Sequence, residues 1–362
     1  MRYDNYIKIN ERQISLYEPT YFIADIASNH DGDWQRAVDL IWLAKEAGAD
    51  AVKFQHFQAP KIVSDFGFKQ LGGQLSHQST WKKTVYEVYQ QYECKLEWTN
   101  KLMQTAQKAD IHFFTTPYDF DVVRSIGPQL PAYKIGSGDI TWIEFIDEIS
   151  KQGKPVILSS GASTIEDVQR AVDAVLKHNR QIALMQCNTN YTGSLENFCY
   201  INLNVLKSYS IHFPQMLLGL SDHSPGCSAV LGAVTLGARL IEKHFTDDKQ
   251  REGPDHAFSM DKKEWSEMVE RCRELEMALG DGIKRVEANE LETVIVQRRC
   301  LRCRRNMEAG EEVKYSDLDV LRPAQANAFQ PFQIELVLGK RLCNSKKAGD
   351  ALYPSDLEDS PC

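Results

Sequence analysis

The feature that most limits how this chain can fold is a repeated pair, a short apolar run followed by a stretch of helical spacing. The run YFIADIA at 21–27 is the first, and helical spacing follows it at 33–48. Roughly eight such pairs succeed one another over about 260 residues, the usual size of a closed parallel barrel. An open doubly wound sheet usually carries a glycine-rich phosphate loop after its first strand, and the loop at 28–32 has no such motif. We therefore predict an α/β fold, a (β/α)8 TIM barrel.

Beyond the last repeat the sequence changes in kind. Residues 283–297 are polar and lack regular spacing, which is typical of a linker. Short apolar stretches follow, separated by turns such as AGE at 309–311. We predict a barrel domain over residues 1–282, a linker over 283–297 and a small, irregular domain over 298–362, near the lower end of domain sizes.

Charge and hydropathy argue against several classes of protein. The chain has 42 Lys and Arg residues against 50 Asp and Glu residues, a net charge of −8, so nucleic acid is not an expected partner. No apolar run has the length of a membrane span, and no membrane partner is expected. The N-terminus lacks the layout of a signal peptide. The nine cysteines lack paired metal spacing, which favours reduced thiols and a cytoplasmic protein.

Polar residues stand at the carboxyl end of nearly every predicted strand. In a parallel barrel these ends share one mouth, where barrel enzymes hold their active sites. The strand ends therefore predict a single site, and its candidate residues are Asp25, Asn29, Lys53, Gln55, Thr115, Thr116, Lys134, Ser137, Asp139, Ser159, Ser160, Asn188, Thr189, Tyr191, Ser221, His223, Glu242 and His244.

This set indicates two kinds of chemistry. Lysine ammonium groups and hydroxyls, beside the glycine-flanked turn at 136–138, favour an anion such as phosphate. His223 and His244 end adjacent predicted strands, and two neutral imidazoles suit a divalent metal such as Mn²⁺, Co²⁺ or Zn²⁺. The turn GPDH at 253–256 would present Asp255 to a hydroxyl-rich ligand. A phosphate beside an incompletely coordinated metal indicates metal-assisted chemistry.

Each residue also has a purely structural interpretation. A buried Lys53 would be tolerated in an ion pair with Asp25 or Glu242, and Lys134 in a similar pair. Serines after strands often cap helices. Hydrogen-bonded core positions would explain the histidines, and a local turn would explain Asp255. The set as a whole favours a site over these separate explanations.

Eight motifs run through the barrel in order: FIADI (22–26), NHDG (29–32), AGADAVKFQ (47–55), TPYD (116–119), YKIGSGD (133–139), GLSDH (219–223), EKHF (242–245) and GPDH (253–256). Together they resemble the sialic acid synthase family, the N-acetylneuraminate synthase type of nonulosonic acid synthase. The C-terminal region resembles the antifreeze-like SAF domain of the same enzymes, mainly through LRP at 321–323.

The resemblance implies a condensation of phosphoenolpyruvate with an open-chain amino sugar. It implies a divalent metal at His223 and His244, with Mn²⁺ as first choice and Mg²⁺ or Co²⁺ as alternatives. It implies catalytic roles for Asp25, Asp139 and His244. The residues that it implies for substrate binding are Lys53, Gln55, Thr116, Lys134, Ser137, Ser159, Thr189, Tyr191, Ser221 and Asp255. It also implies a domain-swapped homodimer, in which Arg322 touches the acyl group of the sugar.

The chain departs from the pattern of this family at two acidic positions. Asp25 and Asp139 stand where the family usually has the longer Glu, and 188–191 and Ala324 are also unusual. The sugar therefore stays open among N-acetylmannosamine, mannose and the 6-deoxy diamino precursors of legionaminic or pseudaminic acid. Two other functions compete. One is a Schiff-base pyruvate aldolase with Lys53 or Lys134 as the amine, and the other is a non-catalytic sugar-binding protein.

Overall fold

The computed structural model describes residues 2–358, apart from the side chain of Ser76. Residue 1 and residues 359–362, which the predicted domain bounds include, lie outside this part of the chain. The chain divides into two compact units between Gly280 and Asp281. No helix in the described residues combines the length and the hydropathy needed to cross a membrane.

Eight parallel strands close into a barrel, so the predicted fold is confirmed. Each strand pairs with the next along the chain, and the last pairs with the first because Leu240–His244 lies beside Tyr21–Asp25. The strands are largely apolar because helices cover their outer faces. Their bounds are Tyr21–Asp25, Ala51–His56, His112–Pro117, Tyr133–Ile135, Val156–Ser159, Ile182–Cys187, Leu217–Asp222 and Leu240–His244.

One helix of the outer layer follows each strand. The apolar side chains of strands and helices form the main core. Asp33 caps the first helix, where its side chain accepts a hydrogen bond from Arg36 N over 2.8 Å. The outer helices are Trp34–Glu46, Thr99–Lys108, Phe120–Ile126, Ile143–Ser150, Ile165–Leu176, Val205–His212, Ser228–Thr235 and Lys262–Leu279.

An antiparallel hairpin, Tyr6–Ile9 with Arg12–Ser15, precedes the barrel. Its apolar side chains Ile7, Ile9 and Ile14 are buried in one cluster with residues that begin the barrel strands. The hairpin therefore closes the amino end of the barrel with hydrocarbon, and the polar strand ends gather at the opposite mouth.

An insertion separates the second strand from its helix. It contains the short helices Ala59–Ile62, Asp65–Gln70 and Val85–Gln91, which pack on one another. The first two of these helices lie within residues 59–79. Because the insertion starts at the carboxyl end of a strand, it lies beside the mouth.

The second unit is small and contains little regular secondary structure. Its two strands, Cys300–Cys303 and Leu318–Leu321, are antiparallel, and its core contains Leu301, Val313 and Leu352. The segment 283–297 differs from the predicted linker, because Leu291–Gln297 is a helix. Long-range bonds hold its last turn. Ala324 N donates to Ile295 O, and Arg322 Nε donates to Gln297 O.

Candidate active site

The register of the barrel places three predicted residues side by side. His244 pairs with Asp25, and Asp25 pairs with Lys53, across adjacent strands. Lys53 Nζ lies 2.7 Å from Asp25 Oδ2 and donates to Thr116 Oγ1 over 3.1 Å. All four side chains are buried. The ion pair considered as a structural explanation of Lys53 is therefore present, and it lies where the strand ends predict the site.

Glu242 connects the two lysines. Its Oε1 lies 3.1 Å from Lys134 Nζ and 3.8 Å from Lys53 Nζ, and it accepts a hydrogen bond from Ser221 Oγ over 3.1 Å. Its second oxygen, Oε2, is buried without a hydrogen-bond partner. From the sequence, Glu242 is a possible ion-pair partner of Lys53 at a strand end, with no assigned catalytic or substrate-binding role. Together with Asp25, it balances the two ammonium charges, so a bound anion would need further positive charge.

Asp25 is held in its charged form. Its Oδ1 accepts from Ala27 N over 3.0 Å, and its Oδ2 accepts from Gln55 Nε2 over 2.9 Å. Burial raises the pKa of Asp25, but Lys53 and His244 outweigh burial and hold the pKa below its usual value. For Lys53, burial lowers the pKa, and Asp25 and Glu242 outweigh it, so the pKa is raised. The pair therefore remains ionised at neutral pH.

The two histidines predicted to bind metal are neighbours, with ring centroids 5.3 Å apart. His223 Nδ1 lies 2.9 Å from the carbonyl oxygen of Asn188. Because a carbonyl only accepts, Nδ1 carries the proton and Nε2 keeps its lone pair. Burial, followed by the nearby His244, lowers the pKa of His223 well below its usual value. His223 is therefore a neutral imidazole in the tautomer that a metal ligand requires.

The environment of His244 also fits a metal ligand. Its Nδ1 is buried without a hydrogen-bond partner, 3.9 Å from Asp255 Oδ2. Its Nε2 lies 3.7 Å from Asp25 Oδ2. In the described residues, no group of three or more His, Cys, Asp or Glu side chains is arranged to hold a metal ion. The two imidazoles would fit an open site, where they would hold a divalent ion together with oxygen ligands from outside the protein.

The predicted hydroxyl groups lie on the next strands of the mouth. Ser137 Oγ accepts from Gly161 N over 3.0 Å, and Ser159 Oγ is buried without a partner. A Cβ at Gly161 would lie 2.8 Å from Ser137 Oγ and 2.5 Å from Thr189 Cγ2, so only glycine fits there. Ser159 is not a helix cap, because the next helix is capped by Thr164. The Ser159 hydroxyl therefore remains available as a hydrogen-bond donor to an anion.

Asp255 reaches the mouth from the turn after the last barrel strand. Its Oδ2 accepts a hydrogen bond from Ser28 N over 3.0 Å. Ser28 lies near the start of the barrel sequence, whereas Asp255 lies near its end. This long-range bond differs from the local turn considered as a structural explanation. The Tyr191 ring lies 4.4 Å from the His223 ring and 6.3 Å from the His244 ring, between centroids. Both residues therefore border the histidine pair.

Asp139 is the least satisfied acid of the site. Its Oδ2 is buried without a hydrogen-bond partner, and burial raises its pKa to about 6. A carboxyl group with this pKa exchanges protons near neutral pH, as a general acid or base must.

We expect Asp139→Asn to stabilise the protein in a pH-dependent way. Between pH 4 and 6 the folded state holds a proton that the unfolded state has lost, so the native protein loses stability as pH rises through this window. Asn cannot ionise, so the variant should be about 2–3 kcal/mol more stable at pH 7 and nearly equal at pH 4. Urea unfolding at both pH values measures the difference.

The half-buried Asp65 provides the control for this experiment, since it lies on a helix of the insertion and is paired with Lys69. Asp65→Asn should give no such gain at pH 7. An Asp139→Asn difference of the same size at pH 4 and pH 7 would contradict the assignment of a raised pKa.

A third buried lysine belongs to the scaffold. Lys243 Nζ lies 2.6 Å from Asp222 Oδ2 and donates to Ser224 O over 2.6 Å. Strand side chains alternate in direction, so this pair points away from the mouth that contains Glu242 and Ser221. It closes the turn that carries His223.

A cavity of about 240 Å³ opens beside His244, Gln55 and Asp255 and extends to the insertion. Much of its wall is aromatic, with Phe57, Trp81, Tyr89, Tyr92, Tyr118 and Tyr191. Of these six residues, the strand ends predict only Tyr191. The other five residues are not among the predicted strand-end residues. Four of them follow the second strand in the chain, and this shared position is their one sequence signal of a place beside the mouth. Tyr118 OH also donates to Gln55 Oε1 over 3.3 Å.

Arg322 lies in the second unit. Its side chain is exposed, and Nε donates to Gln297 O over 2.7 Å. Its predicted contact with a sugar stays a prediction, and so does the exchange of small domains between two subunits.

Comparisons with known proteins agree with these features. The family model described as the NeuB family matches residues 40–284, and that of the SAF domain matches residues 298–358. The N,N'-diacetyllegionaminic acid synthase of Legionella pneumophila is 34% identical over 93% of this chain and 94% of its own length. The pseudaminic acid synthase of Campylobacter jejuni is 32% identical over 93% of this chain and 96% of its own length.

A solved structure of a sialic acid synthetase is also similar to this chain. The N-acetylneuraminic acid synthetase of Leptospira borgpetersenii, crystallised with citrate, superposes with a TM-score of 0.69 at 28% identity, over 80% of this chain and 95% of that chain. The family model covers more than half of the chain, and the relatives cover nearly all of it. The chain therefore belongs to the NeuB family, an enzyme family of nonulosonic acid synthases, and carries a SAF domain after its barrel.

Proposed function

We propose that this protein is a transferase that condenses phosphoenolpyruvate with an open-chain hexose or N-acetylhexosamine, giving a 3-deoxy-nonulosonic acid and phosphate. One observation carries the proposal. Lys53 and Lys134, both buried, share Glu242 in the same mouth that holds the neighbouring histidines. Ammonium groups suit the phosphate and carboxylate of phosphoenolpyruvate.

A charge argument supports a metal in this site. Asp25 and Glu242 already balance the two lysines, so phosphoenolpyruvate would bring several uncompensated negative charges into a buried place. A divalent cation held by His223 and His244 would supply the missing charge and polarise the aldehyde oxygen of the sugar. We propose Mn²⁺, with Mg²⁺ or Co²⁺ as alternatives.

The chemistry balances without any other reactant except water. C3 of phosphoenolpyruvate forms a bond to the aldehyde carbon, and the aldehyde oxygen takes a proton. Water adds at C2 and gives up its protons, and the bond between C2 and the phosphate oxygen then breaks. Inorganic phosphate and a 2-keto acid leave.

The residues of the chain fit these steps. Lys53 and Lys134 would hold the phosphate while charge moves onto it. Asp25, kept ionised by Lys53 and oriented by Gln55, would take a proton from water. Asp139, with a pKa of about 6, is suited to the second proton transfer. Both acids are one methylene shorter than the usual Glu of the family, so their carboxylates would act on a substrate placed closer to the strand ends.

A Schiff-base aldolase is less well supported. Its lysine must be uncharged to attack a carbonyl. The pKa of Lys53 is raised, because Asp25 and Glu242 outweigh the effect of burial, and Lys134 also pairs with Glu242. Borohydride with pyruvate should therefore leave both lysines unmodified. A covalent adduct on either one would favour the aldolase.

The decisive experiment is a panel of acceptor sugars. Purified protein is mixed with phosphoenolpyruvate, Mn²⁺ and each candidate sugar, and the release of phosphate is measured. We expect release with at least one sugar and none without a sugar. The absence of release with every acceptor, phosphorylated ones included, would overturn the proposal.

A further inference from the structure

We propose that Tyr118 is a positioning residue of this site. Its hydroxyl holds the Gln55 amide against Asp25, the carboxylate that would take a proton from water. This inference rests on the proposed function and adds to it a residue that the strand ends do not predict. It is carried by two hydrogen bonds that run in series from Tyr118 through Gln55 to Asp25.

Asp25 fixes the direction of the Gln55 amide. Gln55 Nε2 donates to Asp25 Oδ2 over 2.9 Å, and Asp25 is buried beside Lys53. A carboxylate only accepts hydrogen bonds, so the amide nitrogen faces it and the amide oxygen points the other way. An amide turned by half a rotation would place its oxygen against the carboxylate, and the two would repel. Gln55 therefore serves Asp25 only in this orientation.

Tyr118 supplies a donor for the other end of the amide. Its hydroxyl donates to Gln55 Oε1 over 3.3 Å. Burial, followed by the charge of Asp139, raises the pKa of Tyr118 well above its usual value, so the hydroxyl keeps its proton. Both ends of the Gln55 amide are therefore held, the nitrogen by a carboxylate and the oxygen by a phenol.

The tyrosine ring is a firm support for this bond. Tyr118 directly follows the third barrel strand, and its ring packs edge-on against Phe57, with ring centroids 6.0 Å apart. A glutamine side chain has several rotatable bonds, and ordering it costs conformational entropy. A ring that is already ordered by its neighbours lowers the number of positions open to the amide, and so keeps Asp25 in one geometry.

The same hydroxyl lies near the second acid of the site. A Cβ at Gly136 would be 3.4 Å from the Tyr118 hydroxyl oxygen and 3.8 Å from Asp139 Oδ2, so both atoms border one small space. Asp139 Oδ2 has no hydrogen-bond partner, whereas the Tyr118 proton is engaged by Gln55. Tyr118 therefore acts on Asp25 through Gln55, and Asp139 keeps its free oxygen.

Tyr118→Phe removes the hydroxyl and keeps the ring. With the acceptor sugar that gives phosphate release in the panel, we expect kcat to fall about 10-fold, because the base is held less well. The KM for phosphoenolpyruvate should change less than about 2-fold, since the hydroxyl is not a contact of this substrate. Slower proton transfer should also raise the solvent isotope effect, the ratio of kcat in H₂O to kcat in D₂O. A loss of folded protein alone would leave this ratio unchanged.

Tyr21→Phe is the matched control. The Tyr21 hydroxyl also bonds a side chain, with its oxygen 2.6 Å from His112 Nδ1. Tyr21 and His112 begin their strands, so this bond lies at the amino end of the barrel, away from the mouth. We expect native values of kcat, KM and the solvent isotope effect per folded molecule.

A double variant shows whether Tyr118 acts through Gln55. Once Gln55→Met has removed the amide, Tyr118→Phe should lower kcat by less than about 2-fold further, because coupled residues are not additive. Urea unfolding of the same four proteins measures the bond without turnover. The double variant should lose less stability than the two single variants together.

The outcomes separate the two proposals. If the native protein releases phosphate and Tyr118→Phe keeps its kcat and solvent isotope effect, the role of Tyr118 is overturned while the synthase function stands. Independent effects of the two substitutions on kcat would overturn it as well. If no sugar in the panel gives phosphate release, the proposed function is overturned and the role of Tyr118 in it falls too, even where unfolding shows that Tyr118 and Gln55 are coupled.

Discussion

Lys53→Met is expected to lower kcat/KM by roughly 10²–10³-fold, the effect of removing one preorganised charge partner of the reacting group. The variant should also lose about 3–5 kcal/mol of unfolding free energy, because a buried ion pair loses one member. Lys53 Nζ is 2.7 Å from Asp25 and 3.8 Å from Glu242, so the change leaves both carboxylates without this cation.

The pH profile of Lys53→Met carries more information than the loss itself. The charge of Lys53 helps to hold the pKa of Asp25 below its usual value. Without it, burial dominates and the pKa rises, so the acid limb of the residual activity should move to higher pH. Steady-state kinetics from pH 5 to 9 measures this shift. An acid limb that stays in place would contradict the role of Asp25 as the ionised base.

Lys243→Met is the matched control. Lys243 is as deeply buried as Lys53 and also bonds a buried aspartate, Asp222, but it points away from the mouth. We expect a comparable loss of stability and, per folded molecule, kcat/KM within about 10-fold of the native protein. If both variants lost activity equally, the effect of Lys53→Met would be structural.

Removal of divalent metal is expected to abolish turnover, and added Mn²⁺ to restore it. The physical reason is the charge balance of the mouth, where two lysines are already matched by two carboxylates. His223 keeps a neutral ring with a free Nε2, and His244 has an unpaired Nδ1. Full activity in excess chelator would rule out the metal.

Metal binding can be measured apart from activity. Equilibrium dialysis should detect one Mn²⁺ per chain in the native protein, and His223→Ala and His244→Ala should each weaken it by 10-fold or more. His212→Ala is the control, because His212 is exposed and bonds only the backbone oxygen of Ser208. Unchanged Mn²⁺ binding in both active-site variants would place the metal elsewhere or remove it from the proposal.

Local sequence information is enough to predict the barrel and much of its mouth. Each strand is a short apolar run, and each helix has apolar residues at helical spacing. Both patterns are visible within windows of about fifteen residues, so the fold can be predicted from them. A closed parallel topology brings strand ends together, which is why the sequence alone groups Lys53, Lys134, His223 and His244. The sequence shows no regular spacing over 283–297, yet Leu291–Gln297 is a helix, and its last turn is bonded to residues farther along the chain.

The partners of these residues follow from the three-dimensional arrangement of the barrel. Glu242 meets Lys53 and Lys134 across more than a hundred residues of sequence, and Asp255 meets Ser28 because the last barrel strand lies beside the first. The aromatic cavity likewise depends on how the insertion folds over the mouth. Which groups can take part is evident from the amino-acid sequence, because side-chain chemistry and hydrophobic periodicity are local properties. The pairing, burial and pKa of those groups depend on distances through space, which barrel closure sets.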